Sequence, residues 1–268
     1  MNHPEKVKQI LKQQINQSHD ETLSLFKEIF SHNDDLVYRE FVFHDRDKGF
    51  KGTCIYADGL VNSLDVNAVL DLLVYRGNEL LSSIHESVKG SEFAEKLKNE
   101  ILAKHNVKLT DTIADAVDAI LSGDSLIIID DSEKAFIAST KGWKERSVED
   151  PATEQVVRGP RDGFTENIRT NTALVRRRIR DPLFKLQGMK IGTKSKTDVN
   201  IAYLEGTVKE GLVEEVKNRL EQIEIDSVMD SGYIEELIGD APYSPFTTVL
   251  STERPDKVAS AMVVSKVL

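Results

Sequence analysis

The chain has 268 residues, 40% of them hydrophobic and 30% charged, with a formal charge of −10. Such a composition excludes intrinsic disorder, and the length allows either one large core or two domains of about 100–150 residues each. One cysteine, Cys54, excludes an internal disulfide and a cysteine metal cage; Met1 to Gln17 has no apolar signal core, and no apolar run reaches the roughly 18 residues needed to span a membrane.

Residues 4–31 carry amphipathic helical spacing, with Val7, Ile10, Leu11 and Ile15 on one face and Leu23, Phe26, Ile29 and Phe30 on another. Residues 36–43 are rich in β-branched and aromatic side chains and read as a strand; 45–49 read as a turn and 52–57 as the partner strand. Residues 65–81 have helical spacing, and 110–121 read as a second helix capped by Thr110. Residues 125–130 are apolar on both faces, which predicts a central strand, followed by a turn at 131–133 and another strand at 135–139. Periodicity then lapses over 146–164, where Pro151, Gly159, Pro160 and Gly163 fall, and a domain boundary is placed near 150. Beyond it come a basic helix over 165–180 ended by Pro182, strands near 184–191 and 199–204, and helices over 212–223 and 233–238. A short strand at 247–250 and a final helix opened by Pro255 complete the pattern. Strands and helices alternating twice predict an α/β protein with two mixed α/β lobes, residues 1–150 and 151–268, each a small sheet flanked by helices.

Few residues are arranged for catalysis. No His-Glu-x-x-His, Gly-x-Ser-x-Gly or Cys-x-x-Cys is present. All six histidines lie in the first lobe without ligand spacing, and they read as scattered surface residues. The second lobe has neither His nor Cys, so it lacks the commonest general base and the best nucleophile. Gly188 to Ser195 falls one residue short of a phosphate loop and is followed by strand-like alternation, which reads as a polar hairpin turn. Asp130, Asp131 and Glu133 fit a solvated turn better than a divalent-ion site. The expectation is no enzyme, no metal and no cofactor.

The strongest signal is charge segregation. From Arg158 to Lys196 there are eleven Lys or Arg against three Asp or Glu, a +8 block in an acidic protein. Within it Ile168, Thr172, Val175 and Ile179 form a narrow apolar stripe, while Arg169, Arg176 and Arg180 share another face with Arg177 and Arg178 beside it. Three readings stay open: pairing with the protein's own carboxylates, an interface with an acidic neighbouring subunit, or contact with anionic lipid. Nucleic acid is disfavoured, because no aromatic residues interleave with the basic ones.

The run Gly159-Pro-Arg-Asp-Gly-Phe-Thr-Glu-Asn-Ile-Arg-Thr-Asn-Thr-Ala-Leu-Val-Arg-Arg-Arg-Ile179 resembles the GerA family, the A subunits of bacterial spore germinant receptors. Residues 191–199, 203–206, 230–238, 242–246 and 252–258 carry further likeness, and 34–41 and 123–127 a looser one. The resemblance implies a soluble N-terminal region that continues past Leu268 into membrane helices, in the spore inner membrane and facing the spore core. It also implies B and C subunits and further A subunits as partners, and nutrient-triggered ion release without an enzymatic step. Relatives tied to the dipicolinate channel share the family.

Two sets of site residues follow. Gly159, Pro160, Arg161, Asp162, Phe164, Arg169, Arg176, Arg177 and Arg178 are expected at a subunit or interdomain interface. The alternative is a small-molecule module with an amino acid or sugar between the lobes, for which Asn200, Tyr203, Tyr233 and Tyr243 would line the pocket.

Overall fold

The computed structural model describes residues 2–44, 49–83, 90–100, 106–142, 154, 159–240 and 249–264. Two compact units are present. The first takes in Met1–Ser31, Asp35–Trp143 and Arg180–Pro182, and the second His32–Asp34, Lys144–Ile179 and Leu183–Leu268.

The first unit opens with α1 (His3–Ile10) and α2 (His19–Ile29), capped by Asn2 and Ser18, whose side chains accept the backbone N–H of Glu5 and Glu21. Strands β1 (Leu36–His44) and β2 (Gly49–Ala57) pair antiparallel along their whole length. After α3 (Ser63–Ser83) and α4 (Gly90–Glu100) come β3 (Val107–Thr110), α5 (Ile113–Leu121), β4 (Ser125–Ile129) and β5 (Ala135–Ala138). The five strands form one antiparallel sheet in the order β1-β2-β4-β5-β3. Ile127, Ile129, Cys54 and Phe136 on one face pack with Val66, Val69 and Leu73 of α3 and Ala94 and Leu97 of α4. Helices α2 and α5 also pack on β2 and β4. Because β4 is covered on both sides, every one of its residues is buried, as its unbroken apolar run predicts.

Thr110, expected to cap a helix, instead ends β3, and the cap is Thr112, whose hydroxyl accepts the Asp115 N–H. Two threonines separated only by Asp111 make the sequence ambiguous; the pairing of β3 with β5 resolves it. Sequence reasoning assigned nothing to α4 or to β3. The predicted short strand at 247–250 has no strand at 249–250, and 247–248 lie outside the described residues.

The second unit is built on a hairpin, β6 (Phe184–Ile191) and β7 (Thr197–Leu204), sandwiched between helices. Phe184, Leu186, Ala202 and Leu204 face α6 (Ile168–Arg176) and α9 (Pro255–Val263), where Val175, Ile179, Val258, Ala259 and Met262 complete a small core. On the other face Ile191, Ile201 and Tyr203 meet Val213 and Leu220 of α7 (Leu212–Glu221) and Ile234 and Ile238 of α8 (Ser231–Ile238). This alternation is the period-two pattern of a strand covered on both sides.

A third backbone segment extends the hairpin. Asp34 N–H donates to the Leu186 carbonyl at 2.9 Å, and Leu186 N–H donates to the His32 carbonyl at 3.1 Å. The Asp34 carboxylate accepts the Gly188 N–H at 2.7 Å, prolonging the ladder by one rung.

Candidate interface around the basic helix

Asn167 caps α6 by accepting the Thr170 N–H, and the helix stops at Arg176, four residues earlier than the sequence suggests. The turn before it is stitched to the helix. Asn171 Oδ1 accepts the Thr165 N–H at 2.7 Å, and Asn171 Nδ2 donates to the Thr165 carbonyl at 2.6 Å. Phe164 N–H donates to the Glu253 carbonyl at 2.8 Å, and its ring packs on the α6–α9 core. Asp162 accepts from Arg178 Nη2 at 2.6 Å, while Arg178 Nη1 donates to the Leu174 carbonyl. The Gly159-to-Thr165 run is therefore tied, through Asp162, Phe164 and Thr165, into the unit to which α6 belongs. Gly159, Pro160 and Arg161 are exposed.

The arginines divide into inner and outer sets. Arg176 is fully buried: its guanidinium lies 4.8 Å from the centre of the Phe184 ring, and Nη2 donates to Asn33 Oδ1 at 2.8 Å. It sits in the inner layer with Ala173, Leu174 and Val175, whereas Ile168 and Thr172 of the expected apolar stripe are only half-buried. Charge reversal at Arg176 is thus a perturbation of the unit's packing. Arg169 is exposed, and Arg177 and Arg178 are half-buried, so Arg169 and Arg177 are the positions where surface charge is changed without opening the core.

Other ion pairs brace the neighbourhood. Arg254 Nη2 and Nε bind the Asp256 carboxylate, and the bidentate contact holds that carboxyl below its ordinary range. Glu154 accepts from Thr252 and Lys257, in that order of effect, and its acidity is raised likewise. On the other face of β6, Lys185 is fully buried, with its ammonium 3.7 Å from the Glu205 carboxylate. Sequence reasoning missed Lys185; its placement between Phe184 and Leu186 at a strand start was the available signal.

Three of the four ligand candidates lie among the described residues. Strand alternation puts Asn200 and Tyr203 on opposite faces of the hairpin. The Tyr203 hydroxyl accepts from Gln187 Nε2 at 2.8 Å, and burial raises its pKa. Tyr233 lies exposed on α8, and Tyr243 lies outside the described residues. A half-open cavity of about 290 Å³ does occur in the second unit, lined by His32, Asp34, Gln187, Met189, Ile201 and Lys217 among others. It borders the face that carries Tyr203.

The near-miss phosphate loop is the β6–β7 turn. The N–H groups of Thr193, Lys194 and Ser195 donate to the Ile225 and Asp226 carbonyls, so they are committed to the fold. In the first unit, His19 departs from the surface reading: it is buried, with Nε2 2.8 Å from Thr53 Oγ1 and Nδ1 2.9 Å from Asp20 Oδ1. A hydroxyl, an imidazole and a carboxylate in line have the order of a nucleophilic triad, but Thr53 is fully buried. The row anchors α2 to β2. Asp130 Oδ1 accepts the His19 N–H and Glu133 accepts from Gln17, and among the described residues no cluster of three His, Cys, Asp or Glu is placed to hold a metal. No helix among them is long and apolar enough to cross a membrane.

Comparison with known proteins places this architecture. The crystal structure of the N-terminal domain of the A subunit of the Bacillus megaterium spore germinant receptor GerK3 matches with a TM-score of 0.72 at 30% identity, covering 95% of this chain and 91% of that one. The membrane protein YfkQ of Bacillus subtilis is 37% identical over 231 residues, 85% of this chain and 42% of that protein. Spore germination protein KA of the same organism is 34% identical over 238 residues, 88% of this chain and 42% of that protein. The chain thus spans under half the length of these relatives. Residues 24–268 match the family described as Bacillus/Clostridium GerA spore germination protein, and the chain belongs to that family.

Proposed function

We propose that this chain is the N-terminal region of a germinant receptor A subunit, which couples nutrient sensing to ion release across the spore inner membrane, facing the spore core. One observation carries the reading: the likeness to the GerK3 A-subunit domain extends over 95% of the chain, across both units. That relative is the A subunit of a receptor, which supports B and C subunits and further A subunits as partners. The described residues fit a coupling role better than a chemical one. The motif residues Asp162, Phe164 and Thr165 are engaged in backbone ties and an ion pair, and Arg169 is exposed on α6 with Arg177 half-buried at its end. A small-molecule site between the units has no specific observation in its favour.

The test is made in spores. Arg169→Glu together with Arg177→Glu is expected to suppress nutrient-triggered ion release at normal protein level. A Lys pair at the same positions, keeping the charge, should restore much of it. A normal nutrient response in the Glu variant would remove α6 from the coupling surface.

A further inference from the structure

Helix α8 carries one broad apolar stripe, Tyr233, Ile234, Leu237 and Ile238. Ile234 and Ile238 pack inward on the β6–β7 hairpin. Tyr233 and Leu237, one turn apart and about 100° round the helix from them, form the outer edge of the same apolar stripe, and Met229 lies just before the extended Asp230 cap. Met229, Tyr233 and Leu237 are 78%, 48% and 49% exposed, high values for three large apolar side chains. An apolar edge of this size left exposed marks where another surface is expected to lie.

The charge around that edge selects what covers it. Residues 210–240 hold ten Asp or Glu against two Lys or Arg, a −8 segment in the unit that also holds the +8 block. On α8 itself Glu236 is exposed and Glu235 half-buried, and Asp230 and Asp240 flank the helix. Both cations of the segment are engaged locally: Arg219 with Glu215 and Asp240, and Lys217 with Glu221. A surface that is apolar at its centre and acidic at its rim repels anionic lipid headgroups. It disfavours a two-fold pairing with itself, which would set rim carboxylates against each other. The chain's own basic helix is a poor complement too, since none of the large exposed apolar residues lies on α6.

We infer that the outer face of α8 is a docking surface for a protein partner of opposite pattern: an amphipathic helix with an apolar stripe flanked by lysine or arginine. Apolar contact supplies most of the affinity there, and the charged rim supplies selectivity. The site is separate from the α6 surface proposed above, so its failure and that of the receptor reading are distinguishable.

The experiment titrates the full chain with a synthetic helical peptide of about 18 residues, long enough to be helical. It bears a leucine stripe flanked by lysines, and a twin peptide carries glutamates in place of the lysines. Backbone amide resonances report the site. The expected result is saturable shifts confined to residues 229–240 with the lysine peptide and none with the twin. Binding should weaken as salt rises from about 0.1 to 1 M, which shortens the screening length from about 10 to 3 Å. Leu237→Glu should weaken binding at least about tenfold, whereas Leu64→Glu, at an exposed apolar position of α3, should leave it unchanged. Equal binding of both peptides, or shifts elsewhere, would overturn the proposal. So would self-association of the chain that Leu237→Glu abolishes, or binding of phosphatidylglycerol vesicles through the same residues.

Discussion

Removing the Arg176 guanidinium should be among the most damaging single changes in the second unit. The side chain is fully buried, stacks on Phe184 at 4.8 Å and donates to Asn33 Oδ1 at 2.8 Å. A desolvated cation–π contact contributes about 2 kcal/mol, and a hydrogen bond from a charged donor about 1.5–3 kcal/mol. Arg176→Ala also leaves the space of the buried stem, so a loss of about 3–5 kcal/mol is expected, a large share of the ~5–15 kcal/mol by which domains are stable. At about 2–4 °C per kcal/mol for a chain of this size, the second unit's Tm should fall by about 6–20 °C. Asn33→Ala should cost about 1.5–3 kcal/mol, because it takes this acceptor from the buried Arg176 guanidinium, a loss that relief of the buried Asn33 Nδ2 offsets only in part. Calorimetry on the wild type, the two single variants and the double variant measures the coupling, expected at about 1–3 kcal/mol in the direction of less-than-additive loss. Additive losses, or a Tm change under about 2 °C for Arg176→Ala, would refute the buried-contact argument.

Further expectations follow from individual contacts. Gly192→Ala should destabilise by about 1–2 kcal/mol in urea unfolding, since Gly192 has φ +90° and a Cβ would come within 2.4 Å of Ser195 Oγ and 3.3 Å of the Asp226 carbonyl; an unchanged midpoint would contradict the turn geometry. The Asp256 carboxyl is held below its ordinary range by Arg254, so its contribution is present above the unfolded-state pKa near 3.8 and lost as pH falls through the lower folded value. Asp256→Asn should therefore lower Tm at neutral pH, with the gap to wild type closing below about pH 3; a gap that widens in acid would reverse the assignment. Burial pushes the Cys54 thiol up to about 12, so an aromatic disulfide reagent should react with it only at the rate of unfolding. Modification at the rate of a free thiol under native conditions would show that β2 is not packed as described.

Much of the fold is legible because periodicity reports burial. The apolar run at 125–129 marks a strand covered on both faces, and Pro255 at the first helical position marks the start of α9. The Phe184–Ile191 strand is found at its observed limits for the same reason. What was not legible depends on long-range placement. Asn33 and Asp34 look like a polar turn, yet they pair with β6, over 150 positions away, and no local pattern encodes that. Arg176 reads as surface charge by residue type, and only the proximity of Phe184 and Asn33 makes its burial tolerable. His19 is similar: its partner Thr53 is 34 residues distant on β2. At the candidate site, the contact-forming character of Asp162, Phe164 and Arg178 is visible only with the structure. The outward edge of α8 is hidden in the sequence because Tyr233, Ile234, Leu237 and Ile238 form one apolar stripe, and only packing shows that Ile234 and Ile238 are its inner part.

The most direct test of the receptor reading is ion release from single spores lacking this chain, exposed to a panel of nutrients, beside spores in which the gene is restored. The account expects loss of nutrient-triggered ion release for at least one nutrient, regained on restoration. Unchanged ion release to every nutrient to which the parent spores respond would contradict it.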